Sequence, residues 1–179
     1  FTNVADKRAM FFGDKRAVDD ITIFKDGLAI TKFKNITQSG ATAPSVGGTF
    51  CSMDLPLFRL GEIYLIYAEA VLRGGTGGND AQALNYFNAL RDRAYENTSG
   101  RIQNISLDGI LDERSRELYW EGHRRTDLVR FGKYTEGTYL WPFKGGTKAG
   151  RAVESFRNIF PLPSSDVIAN PNLVQNTGY

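Results

Sequence analysis

Three glutamates four residues apart, Glu113, Glu117 and Glu121, head the residues able to do chemistry. On one helix they would line a single face, and paired carboxylates can act as general acid and base on a glycosidic bond. Catalytic carboxylates must oppose each other across a substrate, however, whereas carboxylates at this spacing project side by side. The same stretch carries Arg114, Arg116, Arg124 and Arg125, and Asp112 stands four residues before Arg116. A salt-bridged or solvated helix is therefore the favoured reading. His123 is the only histidine. A metal centre draws on further imidazoles or on several thiols, so no metal site is expected and no cofactor is implied. No G-x-S-x-G accompanies the histidine, which reads as a packing or hydrogen-bonding residue. The glycine runs at 74–79 and at Gly145-Gly146-Thr147-Lys148 fit no phosphate-loop pattern and follow no buried strand, so both read as flexible connections.

The most informative non-helical segment is Tyr134-Thr135-Glu136-Gly137-Thr138-Tyr139-Leu140-Trp141-Pro142-Phe143-Lys144. Aromatic rings in an irregular loop can offer flat apolar faces to the C–H side of a pyranose, which makes Tyr139 and Trp141 the candidate ligand-binding residues. The competing reading, favoured of the two, folds Trp141 and Phe143 inward as anchors of the loop. Cys51 is the only cysteine, so no internal disulfide can form, and it reads as a buried, inert thiol.

Positioning these residues requires helices. The stretch from Asp54 or Leu55, with Pro56 in its first turn, carries Leu60, Ile63, Tyr64, Tyr67, Ala68 and Val71 at three- and four-residue steps. Five residues, Gly74-Gly75-Thr76-Gly77-Gly78, stop it. Asn79 or Asp80 can cap a second helix whose stripe is Ala83, Tyr86, Phe87, Leu90 and Ala94. Two amphipathic helices joined by a short loop imply an antiparallel hairpin of the tetratricopeptide-like kind. A third helix starts after Ser106, runs through Ile110, Leu111 and Leu118 to Trp120 or Glu121, and resumes at 127–131 beyond Gly122. Upstream, 21–24 and 28–33 are rich in β-branched and aromatic residues around Lys25-Asp26-Gly27, which predicts a β-hairpin. Residues 35–48 read as a polar, mobile connection, 132–155 as a glycine-rich loop, and the tail as turns around one helical turn at 164–168. The expected fold is mainly α: a tetratricopeptide-like hairpin with further helices, a small β-hairpin and long irregular loops.

Composition narrows the function classes. The chain has 179 residues, 41% hydrophobic, with 12 Phe, 8 Tyr and 2 Trp, enough for a real core. A count of 22 Lys and Arg against 20 Asp and Glu gives no field suited to nucleic acid. The first residues lack the basic and apolar regions of a signal peptide, and the longest apolar run, 63–68, is far short of the about 20 residues that span a bilayer.

Three segments together resemble the SusD/RagB family of nutrient-binding proteins. The first is Leu57-Phe58-Arg59-Leu60-Gly61-Glu62-Ile63-Tyr64-Leu65-Ile66-Tyr67-Ala68-Glu69-Ala70. The second is Ile110-Leu111-Asp112-Glu113-Arg114-Ser115-Arg116-Glu117-Leu118, followed by Glu121-Gly122-His123-Arg124-Arg125 and Asp127-Leu128-Val129-Arg130-Phe131-Gly132. The third is Phe160-Pro161-Leu162-Pro163 with Asn170-Pro171-Asn172-Leu173-Val174-Gln175-Asn176 and Gly178-Tyr179. The resemblance covers about residue 55 to the end and divides the chain into a mixed β and loop segment, 1–54, and a helical domain, 55–179. It implies a non-catalytic component that captures oligosaccharides or another nutrient at the cell outer membrane, with a SusC-like TonB-dependent transporter as partner. It also implies that the charged helix is structural, that this ending is the family's carboxy terminus, and that further helical hairpins and a lipid-bearing N-terminal cysteine precede this region, a position Cys51 does not match. Apolar helix faces meant for those hairpins are then expected to stand exposed and to favour self-association. The glycan-contacting residues vary between members, so none is carried over by motif. Two other readings stand beside capture: a structural or protein-interaction region without its own ligand site and, third, a glycoside hydrolase using Glu117 and Glu121.

Overall fold

In the computed structural model, which describes Phe1 and residues 5–48 and 50–179, helices form where the apolar periodicity is strongest. The chain gathers into two units, residues 1–124 and 125–179.

In the first unit, β1 (Phe11–Phe12) pairs antiparallel with β2 (Ala29–Ile30), Phe11 opposite Ile30. A second two-stranded sheet pairs β3 (Ser45–Val46) antiparallel with β4 (Phe50–Cys51). The hairpin expected between 21–24 and 28–33 does not form. The Asp26 carboxylate accepts the backbone N–H groups of Asp19 and Asp20, both at 2.9 Å, and bends 19–26 into successive turns. Ile21, Ile23 and Phe24 are 67%, 52% and 101% exposed, so alternation there had no core face to settle on. Residues 35–43 close their own turn through an Ile36–Thr42 bridge. Cys51, expected buried, is exposed on its two-residue surface strand.

α1 (Leu60–Leu72) starts about five residues later than the sequence suggests, because Arg59 is extended at its N-cap and gives its side chain to the interior. α2 (Asp80–Tyr95) opens on Asn79, whose side chain accepts the Gln82 N–H at 2.8 Å. α3 (Leu107–Glu117) opens likewise on Ser106, accepting from Gly109 at 3.0 Å, and ends before Trp120. These three helices share one core: Leu65 and Ala68 from α1, Ala83, Phe87, Leu90 and Ala94 from α2, Ile110 and Leu111 from α3, with Leu118 just beyond. Each buried Leu, Ile or Phe contributes about 1.5–3 kcal/mol relative to exposure. Tyr64 stacks on Tyr86 with centroids 4.3 Å apart, which fastens the α1–α2 hairpin at its edge. The α1 stripe differs from expectation: Leu60 and Ile63 face outward, and Gly61, Leu65, Ala68 and Glu69 face the core.

The second unit carries α4 (Arg124–Arg130), which begins at the boundary, and α5 (Ser164–Ala169). Between them the chain is irregular, held by single backbone bonds and two short 3-10 turns. The tail folds back on this segment. Gln175 bonds both the N–H and the C=O of Leu162, Tyr179 donates to Ile159 O, and its ring meets Phe156 edge-on at 4.8 Å.

Candidate functional site

The aromatic loop of the second unit is closed on itself by main-chain bonds. Val153 N–H donates to Thr135 O, Lys144 N–H to Trp141 O and Arg151 N–H to Lys144 O. Its buried anchor is Lys144, only 3% exposed, whose ammonium donates to the carbonyls of Glu136 and Tyr139. Burial lowers the pKa of that lysine. The same ammonium stands 4.6 Å from the Trp141 ring centroid, a cation–π contact on the tryptophan's face. Gly150 belongs to this arrangement: its φ is +78°, and a Cβ there would stand 2.5 Å from Trp141 O.

These bonds leave a cleft of about 410 Å³ lined by Tyr134, Trp141, Lys144, Arg151, Glu154 and Arg157 with nearby small residues. Its size suits one or two sugar rings. Trp141 is half-buried at its wall, 6.0 Å from Tyr134 and 6.5 Å from Tyr139 by ring centroids. Of the two residues singled out in the loop, Trp141 lines the cleft and Tyr139 does not. The residues that sequence reasoning missed are Arg151, Glu154 and Arg157. They follow the aromatic run by 7 to 13 positions after Lys144, and no periodic pattern marks them.

The three spaced glutamates belong to a different construction, in the first unit. Glu113, 0% exposed, accepts from Arg8 at 2.7 Å, Arg91 at 2.9 Å and Arg116 at 2.8 Å. Arg116 thus reaches the carboxylate three residues back. Glu117 accepts from Arg8 at 3.0 Å, Arg59 at 2.5 Å and Arg93 at 2.6 Å. Glu121 accepts from Arg59 at 2.6 Å and from Lys32. Asp6 completes the cluster by binding Arg8 through both oxygens. Gly61 makes the approach of α1 feasible, since a Cβ there would meet Arg59 Nη1 at 2.7 Å and Glu117 Oε1 at 2.8 Å.

Burial alone would raise the pKa of Glu117, but hydrogen bonds from Arg59 and Arg93 outweigh it and bring the carboxyl down to about 2. Burial likewise acts upward on Glu121, and Arg59 and Lys32 more than offset it. Neither carboxyl carries a proton at neutral pH, so this pair offers no general acid for glycoside hydrolysis. The cluster is a clamp joining the N-terminal segment, the β2 region, all three core helices and the chain just after α3. His123 fits its packing role, half-buried with Nδ1 3.5 Å from Glu62 Oε1. Among the described residues there is no group of three or more His, Cys, Asp or Glu able to hold a metal.

Fold and site together define a helical protein with a carbohydrate-sized cleft and a charged interior committed to structure. The chain belongs to the SusD family, whose model matches residues 10–179. It is 42% identical to "Starch-binding protein SusD" of Bacteroides thetaiotaomicron over 97% of this chain and 31% of that protein. It is 31% identical to "SusD-like protein P38" of Formosa agariphila over 94% of this chain and 32% of that one. Among solved structures it resembles surface glycan-binding protein A from Bacteroides thetaiotaomicron, at 30% identity and a TM-score of 0.64, over 86% of this chain and 31% of the other. The same protein solved in complex with laminarihexaose gives 30% identity and a TM-score of 0.63. The chain thus spans about a third of the length of these relatives.

Proposed function

We propose that this chain is part of a non-catalytic protein that captures glycans at the outer-membrane surface and hands them to a SusC-like TonB-dependent transporter. The observation that carries the reading is the 42% identity, across nearly the whole chain, to a protein named for starch binding. A relative solved with laminarihexaose supports a glycan as the ligand class. The protein is held at the membrane by an N-terminal lipid anchor outside these residues; among the described residues no helix is long and apolar enough to cross a bilayer. Within this span, the contact to sugar is made at the Trp141 cleft, with Trp141 as the stacking face and Tyr139 behind it in the aromatic group.

Calorimetric titration of the chain with an oligosaccharide panel that includes maltoheptaose and laminarihexaose tests this. Saturable binding between micromolar and millimolar, lost in Trp141→Ala and weakened in Tyr139→Ala, with no release of reducing sugar, is the expected result. A second reading, a scaffold region with no ligand site of its own, draws on the buried Lys144 and half-buried Trp141 that brace the loop from within. Silence toward every sugar from a folded chain would favour that reading.

A further inference from the structure

We infer that the Trp141 cleft takes a saccharide carrying an anionic group, a carboxylate or a sulfate ester, in preference to a neutral one. The inference rests on the reading just proposed and names the ligand class of the same site. Three cations line the cleft, Lys144, Arg151 and Arg157, against the single carboxylate of Glu154. The Lys144 ammonium is spent on two carbonyls and the Trp141 ring, so it supplies field more than contact.

The two arginines differ from it. Arg151 is fixed through Nε to Gly145 O at 2.8 Å, and Arg157 through Nε to Glu154 Oε2 at 3.1 Å. Each anchor uses the inner nitrogen and leaves the two terminal nitrogens of the guanidinium for a ligand. A guanidinium fork matches the two oxygens of a carboxylate or sulfate and has no acceptor to offer a hydroxyl. The one acidic side chain that lines the cleft, Glu154, already gives one of its oxygens, Oε2, to Arg157. A neutral pyranose brings donors and acceptors in similar number and would leave its donors poorly matched here. A ring stacked on Trp141 and carrying an anionic substituent matches both features, and charge-assisted bonds to it would be the stronger ones.

The test is calorimetry at low and high salt on the 179-residue chain, its fold checked by circular dichroism. The probes are hexagalacturonate, a sulfated galactan hexasaccharide and the neutral maltohexaose and laminarihexaose. At least one anionic probe should bind about tenfold more tightly than the neutral ones at low salt, with the gap narrowing as salt rises. Which anionic probe leads tells carboxylate from sulfate. Arg151→Gln and Arg157→Gln, both at exposed positions, should each remove most of the gap by weakening the anionic probes more than the neutral ones. Equal affinity for anionic and neutral probes, or a preference that survives both substitutions, would overturn the inference. Neutral-only binding abolished by Trp141→Ala overturns it while sparing glycan capture, and silence toward all four probes overturns both.

Discussion

Replacing Glu117 by Gln would leave Arg8, Arg59 and Arg93 facing a neutral amide in a site where the carboxylate side chain is only 1% exposed. Breaking a buried ion pair by removing one partner costs about 3–5 kcal/mol, because the remaining charges stay desolvated. The exposed pair Lys7–Glu96, at 3.7 Å, gives the contrast: Glu96→Gln should change stability by less than about 1 kcal/mol. Urea unfolding of the two variants measures both. The same carboxylate gives the chain an acid-sensitive stability. Its folded pKa of about 2 lies below the ordinary 4.5, so its contribution is full above about 4.5 and is lost as pH falls toward 2. Glu121 and Asp6, also lowered, act with the same sign. Stability measured at pH 6, 4 and 3 should fall by about 2 kcal/mol over that window from Glu117 alone, and by less in Glu117→Gln. A flat profile in the native chain would refute the clamp. The four-residue spacing in the sequence made a salt-bridged set legible. It could not name the counter-ions, because residues 8, 32, 59 and 93 reach the set only through tertiary folding.

At the scale of elements, α2 was legible and α1 only half so, for one physical reason. In α2, Ala83, Phe87, Leu90 and Ala94 recur at three- and four-residue steps, and the core takes up all four. α1 is apolar on several faces, with Leu60, Ile63, Leu65, Ile66 and Ala68 all within nine residues, so periodicity selects no single inward side. Burial settles it: Leu65 is 0% exposed and Ile63 is 48%. Leu65→Ala should therefore cost about 2–5 kcal/mol, a transfer loss with a cavity added. Ile63→Ala should cost under about 1 kcal/mol, since a half-exposed side chain gives up little area. Thermal melts of the two variants decide between the faces, and comparable losses would restore the stripe read from the sequence. The misplaced hairpin has a related origin. Strand pairing is non-local, so β-branched runs on either side of a glycine turn announce strand propensity without naming a partner, and here Phe11 and Phe12 came from upstream.

For the molecule as a whole, three short segments in the right order were enough to place the family. The cleft was less legible, since its walls depend on loop closure around Lys144, which no repeat or motif encodes. The outward faces remain to be accounted for. Leu55, Leu57 and Phe58, just before α1, are 68%, 72% and 83% exposed, and Leu60, Ile63 and Ile66 continue the apolar surface along the helix at 62%, 48% and 46%. Neighbouring exposed apolar side chains of this kind are where association sites form. In a solution of this chain alone a second copy is the partner that can cover it, and hydrophobic association grows with the area removed from water. Sedimentation velocity should then show a mass that rises with concentration. Phe58→Ser and Ile63→Lys should each lower that rise while leaving the α1–α2–α3 core folded, because neither side chain is part of it. A chain that sediments as a monomer at every concentration, or association untouched by both substitutions, would mean that this face is not what holds copies together.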